Sequence, residues 1–359
     1  MQKIILYLIT LVFFAKSRFD IPENSQNKMD QLSIQQMLFK TVKSRYPSNK
    51  SLVTELAGLL DISVDSAYRR IRGEKTMSLN ELRKLCVRFS ISMDNILQIN
   101  SQHYLFSDNA IGSDNPDFGN QLDHYFIDLE QFKNSSSAEM LFFTGDISIF
   151  YFYQFPELLA FKYFYWMKSV FGHPDYQKLR FSIAEEMSRN NSKGVKASRI
   201  FTEIDGTEIW SLENISLILQ QFQFMKEMQL FADPNELNLL YDKLNCMIDH
   251  IEMQAETGRK FMYGQKPGEN SGKFKLYINE FMSGGNNILV RTDDNWIAYI
   301  NHSIMNYLRT YDPAFCSYVH MRIMEVIKKS DLISSTGEKQ RKQFFNRLRD
   351  KIHHSRNVN

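Results

Sequence analysis

The sequence predicts a mainly α-helical protein in two parts: a small N-terminal helical domain, and a larger α-helical C-terminal domain containing a small antiparallel β-meander. Three observations carry this. From Ser51 to Lys75, apolar residues recur at three- and four-residue steps on either side of a short polar break. From Leu212 to Thr257, two long helical periods follow one another. Strict alternation appears only at Phe274, Leu276 and Ile278, then Ile288 and Val290, then Trp296, Ala298 and Ile300. With 359 residues and 43% hydrophobic content, the chain can bury a large core.

In chain order, residues 1–28 come first as an apolar extension. The run MQKIILYLITLVFFA has a lysine and then apolar residues, too few for a comfortable membrane span, and it resembles the apolar region of a signal peptide. It is expected to lie ahead of a start at Met29. Two alternatives are an anchor through residues 4–15 holding the protein at the inner membrane, and an apolar helix packed on the body. Helical periodicity then begins at Leu32 and runs to Arg45.

In the stretch SLVTELAGLLDISVDSAYRRIRGEK, Leu52, Leu56, Leu59 and Leu60 share one helical stripe, and Ala57 is small enough for a second helix to cross closely. Asp61-Ile62-Ser63 breaks the period, and Ser63 suits an N-cap. The next helix carries Val64, Ala67, Tyr68 and Ile71 as its expected inner face and ends at Gly73. Asp65, Ser66, Arg69, Arg70 and Arg72 are left for the outer face, a mixture of short polar groups and guanidinium forks suited to base edges and phosphates. A helix over Ser78 to Phe89, opened by the capping-box pair Ser78 and Glu81, and another over Met93 to Ile99 complete a five-helix pattern.

Ala57, the turn at Asp61-Ile62-Ser63, the ending YRRIRGEK and the following MSLNELRKLCVRFSISMDNIL are similar to the Cro/lambda-repressor-like helix-turn-helix class, closest within it to the Xre and BetR-like regulators. The resemblance covers residues 32–100. Asp61 departs from it, standing where the class usually has glycine; Asp tolerates the left-handed backbone better than most residues. The resemblance implies a lambda-repressor-like DNA-binding domain over residues 29–100. Ser63, Asp65, Ser66, Arg69 and Arg70 would then face base edges, Lys50, Arg72 and Lys75 would hold phosphates, and two copies would bind a two-fold site on double-stranded DNA. Charge agrees with this. Residues 29–100 hold eleven lysines and arginines against seven acids, a local +4 within a chain of net +2, which leaves −2 elsewhere. The plainer reading is a helical hairpin with a solvated basic face.

Residues 101–120 are polar and read as a linker, and residues 121–353 as an effector or dimerisation domain. A helix is expected from Gln121 to Phe132, then a strand-like AEMLFFTGDI. Pro156 and Glu157 start an aromatic-rich helix that reaches Val170 and reads first as a core element, secondarily as the wall of a ligand pocket or a dimer surface. Leu237, Leu240, Leu244, Met247 and Ile251 form a short heptad seam, expected to pack against Leu212 to Phe231 or to pair with a second chain. After the meander, helices are expected at His302 to Arg309 and Ala314 to Lys329. A basic amphipathic helix opened by Ser335-Thr336-Gly337-Glu338 ends the chain.

Cys86, Cys246 and Cys316 are isolated and read as buried thiols of a reducing compartment. No metal-ligand spacing, phosphate loop or nucleophile elbow occurs, so neither catalytic residues nor a cofactor are assigned. The sequence is read as a cytoplasmic DNA-binding transcriptional regulator, a homodimer answering to a small-molecule or protein effector. The alternative is a protein-interaction or membrane-linked adaptor that docks through the helical domain.

Overall fold

The computed structural model describes residues 33–44, 46, 51–89, 91, 93, 96, 104–108, 128–135, 137–189, 193–281, 286–293, 295–303 and 306–357. The apolar run at 4–15 and Lys50 lie outside these residues. The chain divides into two compact units, Met1–Ser101 and Gln102–Asn359.

The first unit contains α1 (Ile34–Ser44), α2 (Leu52–Leu60), α3 (Val64–Ile71) and α4 (Leu79–Phe89) around a core that includes Leu38, Val42, Leu56, Leu60, Leu85 and Phe89. Ser51 caps α2 by accepting the Thr54 N–H. Asp61 closes that helix in the left-handed region, at φ 56°, and the Ile62 N–H returns to the Ala57 carbonyl at 3.0 Å. Asp61 takes this left-handed shape at some strain. Of the fifth helix expected at Met93 to Ile99, only Met93 and Ile96 are described.

The second unit corrects the expected fold class. In place of a small antiparallel meander it holds an eight-stranded mixed sheet in the order β1-β7-β6-β5-β2-β3-β4-β8. The strands are β1 (Ser107–Asp108), β2 (Glu139–Thr144), β3 (Asp205–Trp210), β4 (Phe274–Ile278), β5 (Asn286–Arg291), β6 (Trp296–Ser303), β7 (Asn306–Thr310) and β8 (Asp331–Leu332). β2, β3 and β4 run parallel, and the remaining pairs are antiparallel. Parallel strands need long crossovers. The first crossover contains α5 (Ile149–Phe152), α6 (Pro156–Tyr165), α7 (Ile183–Arg189) and α8 (Lys193–Glu203), and the second contains α9 (Ser216–Glu227) and α10 (Asn235–Thr257). The chain is completed by α11 (Pro313–Ile327) and α12 (Glu338–Asn357).

Side-chain alternation along the strands explains the layers. Met140, Phe142, Trp210, Leu276 and Val290 belong to the large core shared with α6, α8, α9, α10 and α12. Leu141, Ile209, Leu289 and Ala298 belong to a second core with Cys316, Val319, Ile323 and Val326 of α11. Both faces of the sheet are thus covered, as parallel strands require.

Three further expectations change. In place of the helix expected from His302 to Arg309, Tyr307↔Asn301 and Arg309↔Tyr299 pair β7 with β6 as a hairpin, with an irregularity at Asn301 to Ser303. Ser107–Asp108, within the stretch read as a linker, pairs with β7. Ser335 and Gly337 take left-handed φ values of 59° and 68°, so a turn precedes α12 where a capping box was expected. Of the heptad seam, Leu240, Leu244, Met247 and Ile251 are buried within the unit and Leu237 partly so, and α10 packs chiefly on α12.

That basic last helix is docked. Arg349 donates to Asp249 at 2.7 Å and to Glu252, Lys351 pairs with Glu213 at 3.1 Å, and Arg356 with Asp242 at 2.6 Å. Beneath them Phe344, Phe345, Leu348 and Ile352 enter the large core. Phe345→Ala should lower the stability of this unit by about 3–5 kcal/mol. Denaturant unfolding followed by tryptophan fluorescence checks it, since Trp166, Trp210 and Trp296 all lie there.

Candidate nucleic-acid interface

The site is built on α3. Ser63 precedes it in extended conformation and its Oγ accepts the Ser66 N–H at 3.2 Å, so this hydroxyl is engaged in starting the helix. At about 100° per residue, Val64, Asp65, Tyr68, Arg69 and Arg72 fall on one arc. All five are exposed. Ser66 is half-buried, and Ala67 and Arg70 are buried on the opposite side.

The structure therefore places Arg70 away from the other guanidinium groups. Only 6% exposed, it donates through Nη2 to Glu81 Oε1 at 2.6 Å and through Nη1 to the Ser66 carbonyl at 3.2 Å. Glu81 is at the same time the capping residue of α4: its Oε2 accepts the Ser78 N–H at 2.8 Å, and Ser78 Oγ accepts the Glu81 N–H at 3.3 Å. One carboxylate thus holds the start of α4 and the inner side of α3. Burial pushes the Glu81 carboxyl up, but the Ser78 N–H and the Arg70 guanidinium outweigh it and hold the group below its ordinary value.

Gln35 on α1 extends the tie. Its Nε2 donates to the carbonyls of Arg70 at 2.7 Å and Lys75 at 2.8 Å, and its Oε1 accepts the Met77 N–H at 3.2 Å. The loop carrying Lys75 is fixed by these bonds, while the Lys75 side chain is exposed. Arg88 on α4 pairs with Glu55 on α2 at 2.8 Å.

Of the three arginines on α3 and its C-cap, Arg69 and Arg72 remain outward. Arg72 Nε lies 3.1 Å from Glu74 Oε1 and Arg69 Nε 3.9 Å from Glu74 Oε2, all three side chains about half exposed. Exposed pairs of this kind are worth about 0–1 kcal/mol, so an incoming anion exchanges with Glu74 at little cost. Val64 and Tyr68, each 49% exposed, were expected inside and lie instead beside these arginines. The signal that reveals them is the four-residue step from Val64 through Tyr68 to Arg72, which puts all three on one line.

Among the described residues there is no group of three His, Cys, Asp or Glu able to hold a metal ion, and no helix long and apolar enough to cross a membrane. The three cysteines are unpaired, Cys316 buried and the other two half-buried. No protein-family model matches the chain, and neither a curated protein nor a solved structure matches it significantly.

The Glu81 tie has a defined pH dependence. A carboxyl lowered in the folded state stabilises above its unfolded value of about 4.3, and that contribution is lost as pH falls through the lowered value. Glu81→Gln should cost about 1.5–3 kcal/mol near neutral pH and progressively less in acid. Hydrogen exchange of the α3 and α4 amides measures it, and a difference that persists undiminished at low pH would contradict this assignment.

Proposed function

We propose that the protein is a cytoplasmic, sequence-specific double-stranded DNA-binding transcriptional regulator in which α3 enters the major groove. The observation that carries this is the outward arc Val64, Asp65, Tyr68, Arg69 and Arg72, backed by a buried Arg70 that fixes the helix from behind. Arg69 is the base reader in this proposal; its fork suits the O6 and N7 of guanine, and such a bidentate pair is worth about 1–3 kcal/mol of discrimination. Val64 and Tyr68 offer apolar contact to thymine methyl groups. Arg72 and Lys75 hold phosphates, with Lys75 presented by the loop that Gln35 fixes. Asp65 and the half-buried Ser66 lie at the start of α3, where residues of a recognition helix approach the bases. A short reading helix covers few base pairs, so two copies on a two-fold site form part of the proposal. Most of the heptad seam of α10 is consumed inside the chain, so self-association in this proposal uses another surface.

A second reading has its own support: Leu79 and Val87 on α4 are 83% and 77% exposed, as a helical docking module for a protein partner would require. Salt separates the two. Phosphate contacts make affinity fall steeply with ionic strength, whereas an apolar helical interface responds little.

Selection from a random double-stranded DNA library should return a palindromic motif with the wild type and none with Arg69→Ala/Arg72→Ala. Arg70→Ala should instead lower the stability of the first unit. Glu74→Gln, by releasing both guanidinium groups, should tighten binding a few-fold, measured by fluorescence anisotropy on the selected site. Failure to enrich any sequence, with binding to a protein partner that is insensitive to salt, would replace the DNA reading with the adaptor.

A further inference from the structure

The second unit contains a cavity of about 360 Å³. It lies at the carboxyl end of β2, where the turn Thr144 to Ser148 leads into α5, and is closed by α5, α6 and α9 over the sheet. Phe132, Phe142, Phe150, Phe152, Trp166 and Ile288 supply its apolar wall. The volume is within the range of small-molecule sites, and the carboxyl ends of parallel strands are where open α/β sheets receive ligands. Trp166 also begins a π-helical turn, Trp166–Val170, that continues α6. Such turns recur at functional positions.

Two features define what the cavity accepts. The first is charge balance. Lys162, whose side chain is 2% exposed, pairs with Asp146 at 3.2 Å, and its Nζ lies 4.9 Å from the ring centroid of Phe152 and 6.0 Å from that of Trp166. Asp128 binds Arg309 at 3.1 Å and accepts the Tyr299 hydroxyl at 3.0 Å. Each cation at the cavity already has its anion, so an ionised ligand entering the apolar space would arrive without a counter-charge.

The second feature is Gln221 on α9. It is 3% exposed and lines the cavity, and its Oε1 is buried with no hydrogen-bond partner among the described residues. A buried acceptor left unpaired destabilises the empty protein, and a donor brought into the cavity would remove that deficit once the Gln221 amide turns its oxygen toward it.

We infer that this cavity binds a neutral, largely apolar small molecule carrying one O–H or N–H group, which donates to Gln221 Oε1. Phe152 and Trp166 pack the apolar body, and the Lys162–Asp146 pair excludes charged analogues. This goes beyond the DNA-binding proposal and does not rest on it.

The test compares three probes of one shape by calorimetry on the full chain without DNA: 2-naphthol, naphthalene and 2-naphthoate. 2-Naphthol should bind about three- to tenfold more tightly than naphthalene, the equivalent of one neutral hydrogen bond, and 2-naphthoate more weakly than either. Gln221→Met should erase the advantage of 2-naphthol, leave naphthalene unchanged and raise the melting temperature of the empty protein. Leu217→Trp, at a 41% exposed position of the cavity wall, should abolish binding of both neutral probes while the chain remains folded. Equal affinity for 2-naphthol and 2-naphthoate, an undiminished advantage in Gln221→Met, or binding of none of the probes would overturn the inference.

Discussion

A single buried carboxylate holds the larger unit together. Glu208, at the middle of β3, accepts the Tyr151 hydroxyl and the Trp210 indole N–H, each at 2.8 Å. Lys260 lies alongside, its Nζ 3.7 Å from the ring centroid of Phe201. All four of Glu208, Tyr151, Trp210 and Lys260 are buried. Burial raises the Glu208 carboxyl and lowers the Lys260 ammonium to about 8, the response of two groups removed from water together. Tyr151 belongs to the first crossover, so the carboxylate ties that crossover to β3, while Lys260, in the second, donates to the Phe201 carbonyl at 3.3 Å and acts on Glu208 through space. Leaving out one partner would strand a charge in an apolar core, and the arrangement is therefore all or nothing.

Glycine makes it fit. A Cβ at Gly206 would come within 2.4 Å of both Cε and Nζ of Lys260. The strand that results, Asp205-Gly206-Thr207-Glu208-Ile209-Trp210, has the composition of a turn and the position of a central strand. This is why the sheet was not legible beforehand. Period two could be read at Phe274 to Ile278 and Trp296 to Ile300, where apolar and other residues alternate simply. β3 replaces apolar side chains with a polar network on one of its faces, and without β3 there was nothing to make β2 and β4 parallel. The long helices were legible because each carries a strong start signal, Pro156 with Glu157 and Asp233 with Pro234.

In the first unit the division is finer. The helices and their caps follow from local chemistry: Ser51, Asp61, Ser63 and the pair Ser78 and Glu81 act within three to five residues of themselves. The orientation of the arginines does not. Arg69, Arg70 and Arg72 look alike in the sequence, and the partner that Arg70 meets on the inner side, Glu81, stands eleven positions beyond it. Tyr68, apolar enough for a core, is displaced outward because Ala67 and Arg70 already fill the inner side of this short helix. A candidate reading surface was thus recognisable as a helix but not as a face.

The docking of α12 has a consequence for how the protein is made. Phe344, Phe345, Leu348 and Ile352 enter a core whose earliest member, Leu129, is synthesised more than two hundred residues before them. Until the ribosome has released them, α10 and the helical side of the sheet present bare apolar surface. The core of the first unit, spanning Leu38 to Ile96, is by then long complete. A nascent chain therefore carries a finished basic domain ahead of an unfinished sticky one. While it is unfinished, the second unit exposes apolar surface, and slow or prematurely ended translation exposes it longest.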